Sequence, residues 1–469
     1  MKKVISFSTI VFFYFICISI YRVDAATINA ADCSQTAVSN AIASAVSGDL
    51  VVIPSGTCSW SSPVTISIPL TIRGKTITLR DPNTYQVSAT DNTIIQTNGF
   101  QVTAETGVRI TGITFDGNVS GVATQPITLP TSPVGMRIDH NHFTYYRKVW
   151  NKGGGGGYLN VIFDNNRITQ PGEENLYIVG AGNDAFVAGG VCGSSNPEKT
   201  TWIEDNEFVL ETANIGNLID MGAGARVAIR GNRVTGTVNY TIQDFIEAHG
   251  HCWGQRDGNS NAGVYCVEVS DNRFHKVKTQ SNAAKILRTR GGKNYVYNNN
   301  AYDPGWTTGG IIGYWIQEVA TDCNATPCAV QAHEDAGYHA VPLSEATNYT
   351  AGFCTTYPCP MQPNNSYNWN NTWDSGTVGV IVQGADAATY MAEDRDYWDD
   401  IGVGDTNFTK DVAANRIGTC TIQNSYWETD TKMLYRCTAT NTWTFIYSPY
   451  NYPHPLTITP SHPSNLTIQ

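Results

Sequence analysis

The chain has 469 residues, 41% hydrophobic and only 15% charged, with 29 Lys and Arg against 40 Asp and Glu for a formal net charge of −11. Such an acidic chain is excluded as a general binder of nucleic-acid phosphates; an anionic polymer must meet a local basic patch or a bridging cation. Plentiful Gly, Asn, Thr and Val without long runs of helix formers exclude a helical bundle and point to β structure.

Residues 1–25 carry Lys2 and Lys3 and an apolar stretch from Val4 to Ile20, and small residues, Ala25 and Ala26, stand at their end. This is the pattern of a cleaved secretory signal, and an apolar stretch of about 17 residues is marginal as a membrane anchor. The predicted mature chain is secreted, is not stably inserted in a membrane, and keeps 26 basic and 39 acidic residues. Eleven of the twelve cysteines remain after Cys17 leaves, which fits an oxidising compartment. Close spacing suggests clamps of Cys33 with Cys58, Cys252 with Cys266, Cys323 with Cys328, Cys354 with Cys359 and Cys420 with Cys437, leaving Cys192 alone. A structural zinc site would need paired CxxC or His spacings that these cysteines lack.

Ser34 or Thr36 can cap a short amphipathic helix through AVSNAIASAV, ended near Ser47 and Gly48. GDLVVIPSGTC, VTISIPLTIRG and KTITLRD then read as short strands. The order helix, GD, apolar strand, PSGTC resembles the entry coil of right-handed parallel β-helix proteins of the pectate-lyase-like class. The resemblance covers roughly residues 27–375 and implies an all-β solenoid whose open end the helix caps.

An asparagine then recurs just after an apolar strand, at Asn118, Asn141, Asn166, Asn206, Asn232, Asn272 and Asn300. Gaps of 23, 25, 40, 26, 40 and 28 residues are those of stacked coils, with inserted loops in the longer ones. At such turns asparagine tolerates left-handed backbone and its amide can bond to the next coil, a structural rather than a catalytic task. The run Gly153 to Gly157 lacks the GK[ST] of a phosphate loop and reads as a loop leaving a coil. The expected organisation is a signal over 1–25, a parallel β-helix over 26–375, and an irregular C-terminal cap over 376–469 that wraps back over the coils.

Four strands align as NLYIVGAG from Asn175, NLIDMGAG from Asn217, DFIEAHGH from Asp244 and KILRTRGG from Lys285. Side chains at equal offset stack about 4.8 Å apart. Simple alternation gives an inward stack of Tyr177 with Val179, Ile219 with Met221, Ile246 with Ala248 and Leu287 with Thr289. The outward face then carries Leu176 and Ile178, Leu218 and Asp220, Phe245, Glu247 and His249, and Ile286, Arg288 and Arg290. Asp220, Glu247 and Arg288 thus share one column, with His249 and Arg290 beside it. A surface ion-pair ladder would contribute little stability, whereas charge collected at one level of a charge-poor chain suggests a functional patch.

This patch resembles the active region of alginate lyases and chondroitinase B, with DFIEAHGH as the acidic strand, VEVSDNRF as the turn and ILRTRGG as the arginine strand. The resemblance implies Asp220, Glu247 and Asp244 as ligands of Ca²⁺, and Arg288 as the group that neutralises a substrate carboxylate. HGHC stands where that family places a lysine base, so His249 or His251, or Lys276 or Lys278 after the Asn272 turn, are the alternative bases. His140 and His142 flank a turn asparagine and read as surface structure. Asp399 and Asp400 are an adjacent carboxylate pair of glycoside-hydrolase type placed in the tail. The sequence favours a lyase cleaving an acidic polysaccharide by β-elimination, ahead of a non-catalytic glycan-binding protein of adhesin or tailspike type and a glycoside hydrolase.

Overall fold

The computed structural model describes residues 25–454 apart from internal segments, the longest being 180–196, 249–263, 276–284, 303–311 and 316–364. Each coil runs through three strands. Thr201–Glu204, Glu207–Leu210 and Asn214–Gly222 make one, and Arg226–Arg230, Arg233–Gly236 and Thr241–Ala248 the next. Equivalent strands of successive coils pair in parallel; among the described residues the first sheet has twelve strands and the second eleven, the last of which, Gly376–Thr377, pairs antiparallel with Thr372–Trp373. The third face is divided between a four-stranded sheet over the early coils and a six-stranded sheet from Leu176–Val179 to Val380–Gln383. This is the right-handed parallel β-helix that the spacing predicts.

The core consists of like residues stacked on like. Ile110, Ile138, Phe163, Ile203, Ile229, Val269 and Val296 are successive register partners in the first sheet, and all are buried. The helix Gln35–Ala43 is capped by Ser34, whose hydroxyl accepts from the Ala37 N–H at 3.3 Å, and it lays Val38, Ala41 and Ile42 into that core.

A ladder of buried asparagines joins the coils at the corner between the first two sheets. Asn206 accepts on Oδ1 from the Asn166 backbone N–H at 2.9 Å and from Asn166 Nδ2 at 3.1 Å. Its own Nδ2 donates to the Phe163 carbonyl at 2.8 Å and to Asn232 Oδ1 at 3.0 Å. The pattern repeats through Asn141, Asn166, Asn206, Asn232, Asn272, Asn299 and Asn371. Two sequence expectations are corrected. Asn299, not Asn300, is the rung, and the coil before Asn141 has Ile113 at this position, its N–H donating to Asn141 Oδ1 at 3.0 Å. Asn118 lies outside the described residues. The left-handed residue is also not the rung but its predecessor: His140, Asn165, Asp205, Gly231, Asp271, Asn298 and Asn370 all have φ between 54° and 65°. His, Asn, Asp and Gly are the residues that tolerate that backbone, while the rung amide is free to point inward.

The coils continue past residue 375. Tyr397–Asp399 pairs in parallel with Ser366–Trp369 as the last strand of the first sheet, so Asp399 belongs to the solenoid rather than to a tail. A four-stranded sheet over Phe408–Tyr447 follows, and its Trp427, Leu434 and Tyr447 pack on Tyr295, Tyr297, Tyr367 and Trp369 of the first sheet's outer face, forming a second core. The chain then reaches back to earlier coils. Arg230, held by Glu204 and Glu268, donates from Nη1 to the Tyr450 carbonyl at 2.7 Å; the Tyr452 hydroxyl donates to Asp205 Oδ1 at 2.6 Å, and the His454 N–H to Glu204 Oε2 at 2.9 Å. An antiparallel hairpin, Ile77–Arg80 with Val87–Thr90, meets the same turns: Arg80 pairs with Asp205 at 3.1 Å and donates to the Gly231 carbonyl at 2.9 Å.

Disulfides Cys33–Cys58 and Cys420–Cys437 are formed as the spacing suggests, and Cys266 is also disulfide-bonded. Cys192, Cys252, Cys323, Cys328, Cys354 and Cys359 lie outside the described residues. No helix among the described residues is long and apolar enough to cross a membrane.

Truncation of a rung leaves buried donors without acceptors, each costing about 1–3 kcal/mol. Asn206→Ala is therefore expected to lower unfolding free energy by about 3 kcal/mol in urea titration, more than Asn300→Ala outside the ladder. A methyl group on Gly231 would fall on the Tyr452 hydroxyl and within 2.7 Å of Asp205 Oδ1, on a residue with φ of 65°. Gly231→Ala should therefore destabilise by about 1–2 kcal/mol from backbone alone and raise hydrogen exchange at residues 450–454.

Candidate functional site

The third sheet carries the charge. Register partners run Tyr177, Asp220, Glu247, Arg288, Gly313 through five consecutive strands, as the alignment of three of them foresaw. The first strand is shifted by one residue from the sequence expectation: Leu176 and Ile178, not Tyr177 and Val179, align with Ile219 and Met221, and both are buried. A second correction concerns Leu218, Phe245 and Ile286. Alternation puts them outward, but they are buried, and Leu218 and Phe245 line the interior beside Ile219 and Ile246. Two successive inward residues mean that the strand bends there. A second column, Asn217, Asp244 and Lys285, consequently stands one step from the first.

The two columns interlock. Arg288 Nε lies 3.0 Å from Asp244 Oδ2, Arg290 pairs with Glu247 Oε1, and Asn217 Nδ2 donates to Glu247 Oε2. Asp220, Asp244 and Glu247 are at most 4% exposed, whereas the side chains of Arg288 and Arg290 retain 12% and 19%. The carboxylates are thus the floor and the guanidinium groups the reachable surface. Burial, reinforced by the Glu247 charge, outweighs Arg288 and pushes the Asp244 carboxyl up to about 7. Burial also lowers Arg290, with Arg288 opposing its charge while Glu247, Asp244 and Asp220 favour it.

Among the residues that sequence reasoning singled out, Asp220, Asp244, Glu247, Arg288 and Arg290 come together. His249, His251, Lys276 and Lys278 lie outside the described residues. Asn217 and Lys285 were missed because the bend hid the second column, although both stand at equal offset in the quoted strands. Calcium is a poor fit to the acidic set as it stands: Asp244 and Glu247 are each engaged by an arginine, and no group of three metal-ligating side chains occurs among the described residues.

The remaining candidates are structural. His140 Nδ1 lies 2.8 Å from Asp139, and His142 bridges Asp91 and Thr169 at 2.9 and 3.0 Å. Asp399 and Asp400 have separate partners. Asp399 Oδ2 accepts from the Val380 N–H at 2.7 Å, and burial pushes its carboxyl up to about 7; Asp400 accepts from the Asn370 N–H at 2.8 Å and pairs with Lys410.

For Asp244 the raised folded value means that the folded protein binds more protons than the unfolded chain between about pH 4 and 7. Its contribution is full below its unfolded value and is lost as pH rises through about 7. Wild-type stability should therefore decline relative to Asp244→Asn by an amount on the order of 2–4 kcal/mol across that window, measured by denaturant midpoints at stepped pH.

No family model matches the chain, and no curated protein does. Among solved structures it is similar to the catalytic domain of a GH87 α-1,3-glucanase in complex with nigerose, at 11% identity and a TM-score of 0.39 over 80% of this chain and 67% of that one. It is also similar to ORF18 of Geobacillus virus E2, at 15% identity and 0.28 over 61% and 54%. An alginate lyase from Paenibacillus sp. str. FPU-7 aligns at 15% identity and 0.27 over 61% and 99%. Strand register itself carries the architectural conclusion: the chain is a right-handed parallel β-helix protein.

Proposed function

We propose that the protein is a secreted carbohydrate-active enzyme that cleaves an acidic polysaccharide by β-elimination at the third sheet. The observation that carries this reading is the pair of partly exposed arginines set on a buried carboxylate floor. Arg288 and Arg290 are held in fixed geometry by Asp244 and Glu247, as bidentate recognition of a carboxylate requires. A uronate carboxylate neutralised there makes its neighbouring C5 proton more acidic. A base removes that proton, the C4–C5 double bond forms, and the C4–oxygen bond breaks as the departing oxygen gains a proton. His249, His251 and Lys278 are proposed as the base; the first follows the Glu247 strand directly. Two carbohydrate-acting proteins among the distant structural neighbours accord with a polysaccharide substrate in general.

Incubation with polygalacturonate, alginate and chondroitin, followed by ultraviolet absorbance, tests the lyase reading: unsaturated uronate should accumulate. Arg288→Ala and Arg290→Ala should each reduce the rate by about 100-fold or more, the scale of losing a charge-stabilising group. Full activity in both variants would refute the site, and reducing ends released without unsaturation would support hydrolysis instead.

A further inference from the structure

Away from the third sheet, at the corner between the first two sheets, a cavity of about 700 Å³ opens between the coil turns and the C-terminal four-stranded sheet. Its volume is in the range of small-ligand sites, about 300–1,000 Å³. One wall is made by left-handed turn residues of three coils. Asn298 Nδ2 donates to Asp271 Oδ1 at 3.2 Å, and Asn370 Nδ2 donates to Asn298 Oδ1 at 3.2 Å. Asp271, Asn298 and Asn370 form a second, outer series of polar side chains beside the buried ladder, repeating at the coil spacing of about 4.8 Å, close to the length of one pyranose unit.

The opposite wall has a different chemistry. Tyr452 is 38% exposed, while Tyr450, packed on Trp202 and His454, and Trp427 of the second core close the inner end. Exposed Thr429, Thr431 and Asn451 add hydroxyl and amide groups at the rim. The exposed part of the Tyr452 ring on one side, and side-chain amides and hydroxyls able both to donate and to accept on the other, match the two-sided surface of a sugar ring. Charge in the cavity is balanced: Asp271 faces Lys432, and Arg230 is held by Glu204 and Glu268. An anionic polymer would find no excess of cations here.

We infer that this cavity is a binding site for a short neutral oligosaccharide, separate from the charged cluster of the third sheet. It would anchor the protein on neutral glycan while the arginine-lined face meets an acidic one. The inference does not depend on the β-elimination reading, since none of its residues belongs to that cluster.

The test is calorimetric titration of the full chain with cellohexaose, xylohexaose and mannohexaose, with a polygalacturonate oligomer as the anionic comparator. At least one neutral hexasaccharide should bind with Kd below about 1 mM. Thr431→Trp, which fills the rim, and Asn451→Ala should each weaken that binding tenfold or more, while Arg288→Ala leaves it unchanged. Unaltered circular dichroism and melting in both rim variants separate site loss from unfolding. Absence of binding by every neutral member, exclusive binding of the anionic oligomer, or unchanged affinity in correctly folded Thr431→Trp would each overturn the proposal.

Discussion

Each rung of the asparagine ladder bonds to the coils on both sides of it, and the rest of the molecule depends on this continuity. Asn206 satisfies backbone and side-chain donors of Asn166, the Phe163 carbonyl and the Asn232 side chain at once, with no exposed surface of its own. Buried backbone at a tight corner would otherwise carry orphaned groups. The ladder also fixes how far each coil rotates past the last, and hence which residues of the third sheet share a column. The left-handed residue before each rung allows the chain to turn without surrendering the amide, and it leaves a second set of polar side chains facing outward at the same corner.

Charge is scarce in this protein, and two of the places where it collects are buried clusters. Around Arg230, the carboxylates of Glu204 and Glu268 and carbonyls of the returning C-terminal segment enclose the guanidinium almost completely. Buried ion pairs rarely add net stability over apolar packing, so their value there lies in specifying which segment docks. The third-sheet cluster has similar components but a different exposure pattern. Its carboxylates are sealed while its arginines keep a fraction of their surface, an asymmetry that suits recognition more than docking.

Architecture was legible in the sequence because coil spacing and asparagine recurrence are properties of one-dimensional order. What failed was local register. Asn300 stands one residue past the true rung in a run of three asparagines, and nothing in that run distinguishes Asn299 from it. The alternation argument located Asp220, Glu247 and Arg288 correctly but assumed a straight strand. The bend at Leu218–Ile219 and its equivalents in the following coils reversed the expected side for Phe245 and Ile286, and concealed Asn217, Asp244 and Lys285 as a column. Asp399 was misplaced for another reason. The long segment before Ser366 interrupts the spacing, so the final coil no longer looked periodic.

A solenoid held only by contacts between neighbouring coils comes apart like a stack of coins, from either end. This one is laced. The hairpin at 77–90, which arises in an early coil, and the strap at 450–454 converge on Asp205 and Gly231 in the middle of the stack. Tension applied to the C-terminal segment would therefore be delivered to central turns, across many parallel strands in shear, instead of peeling the last coil away. Load on the far end is thus borne by the middle of the stack, and the coils between are strained together instead of one by one.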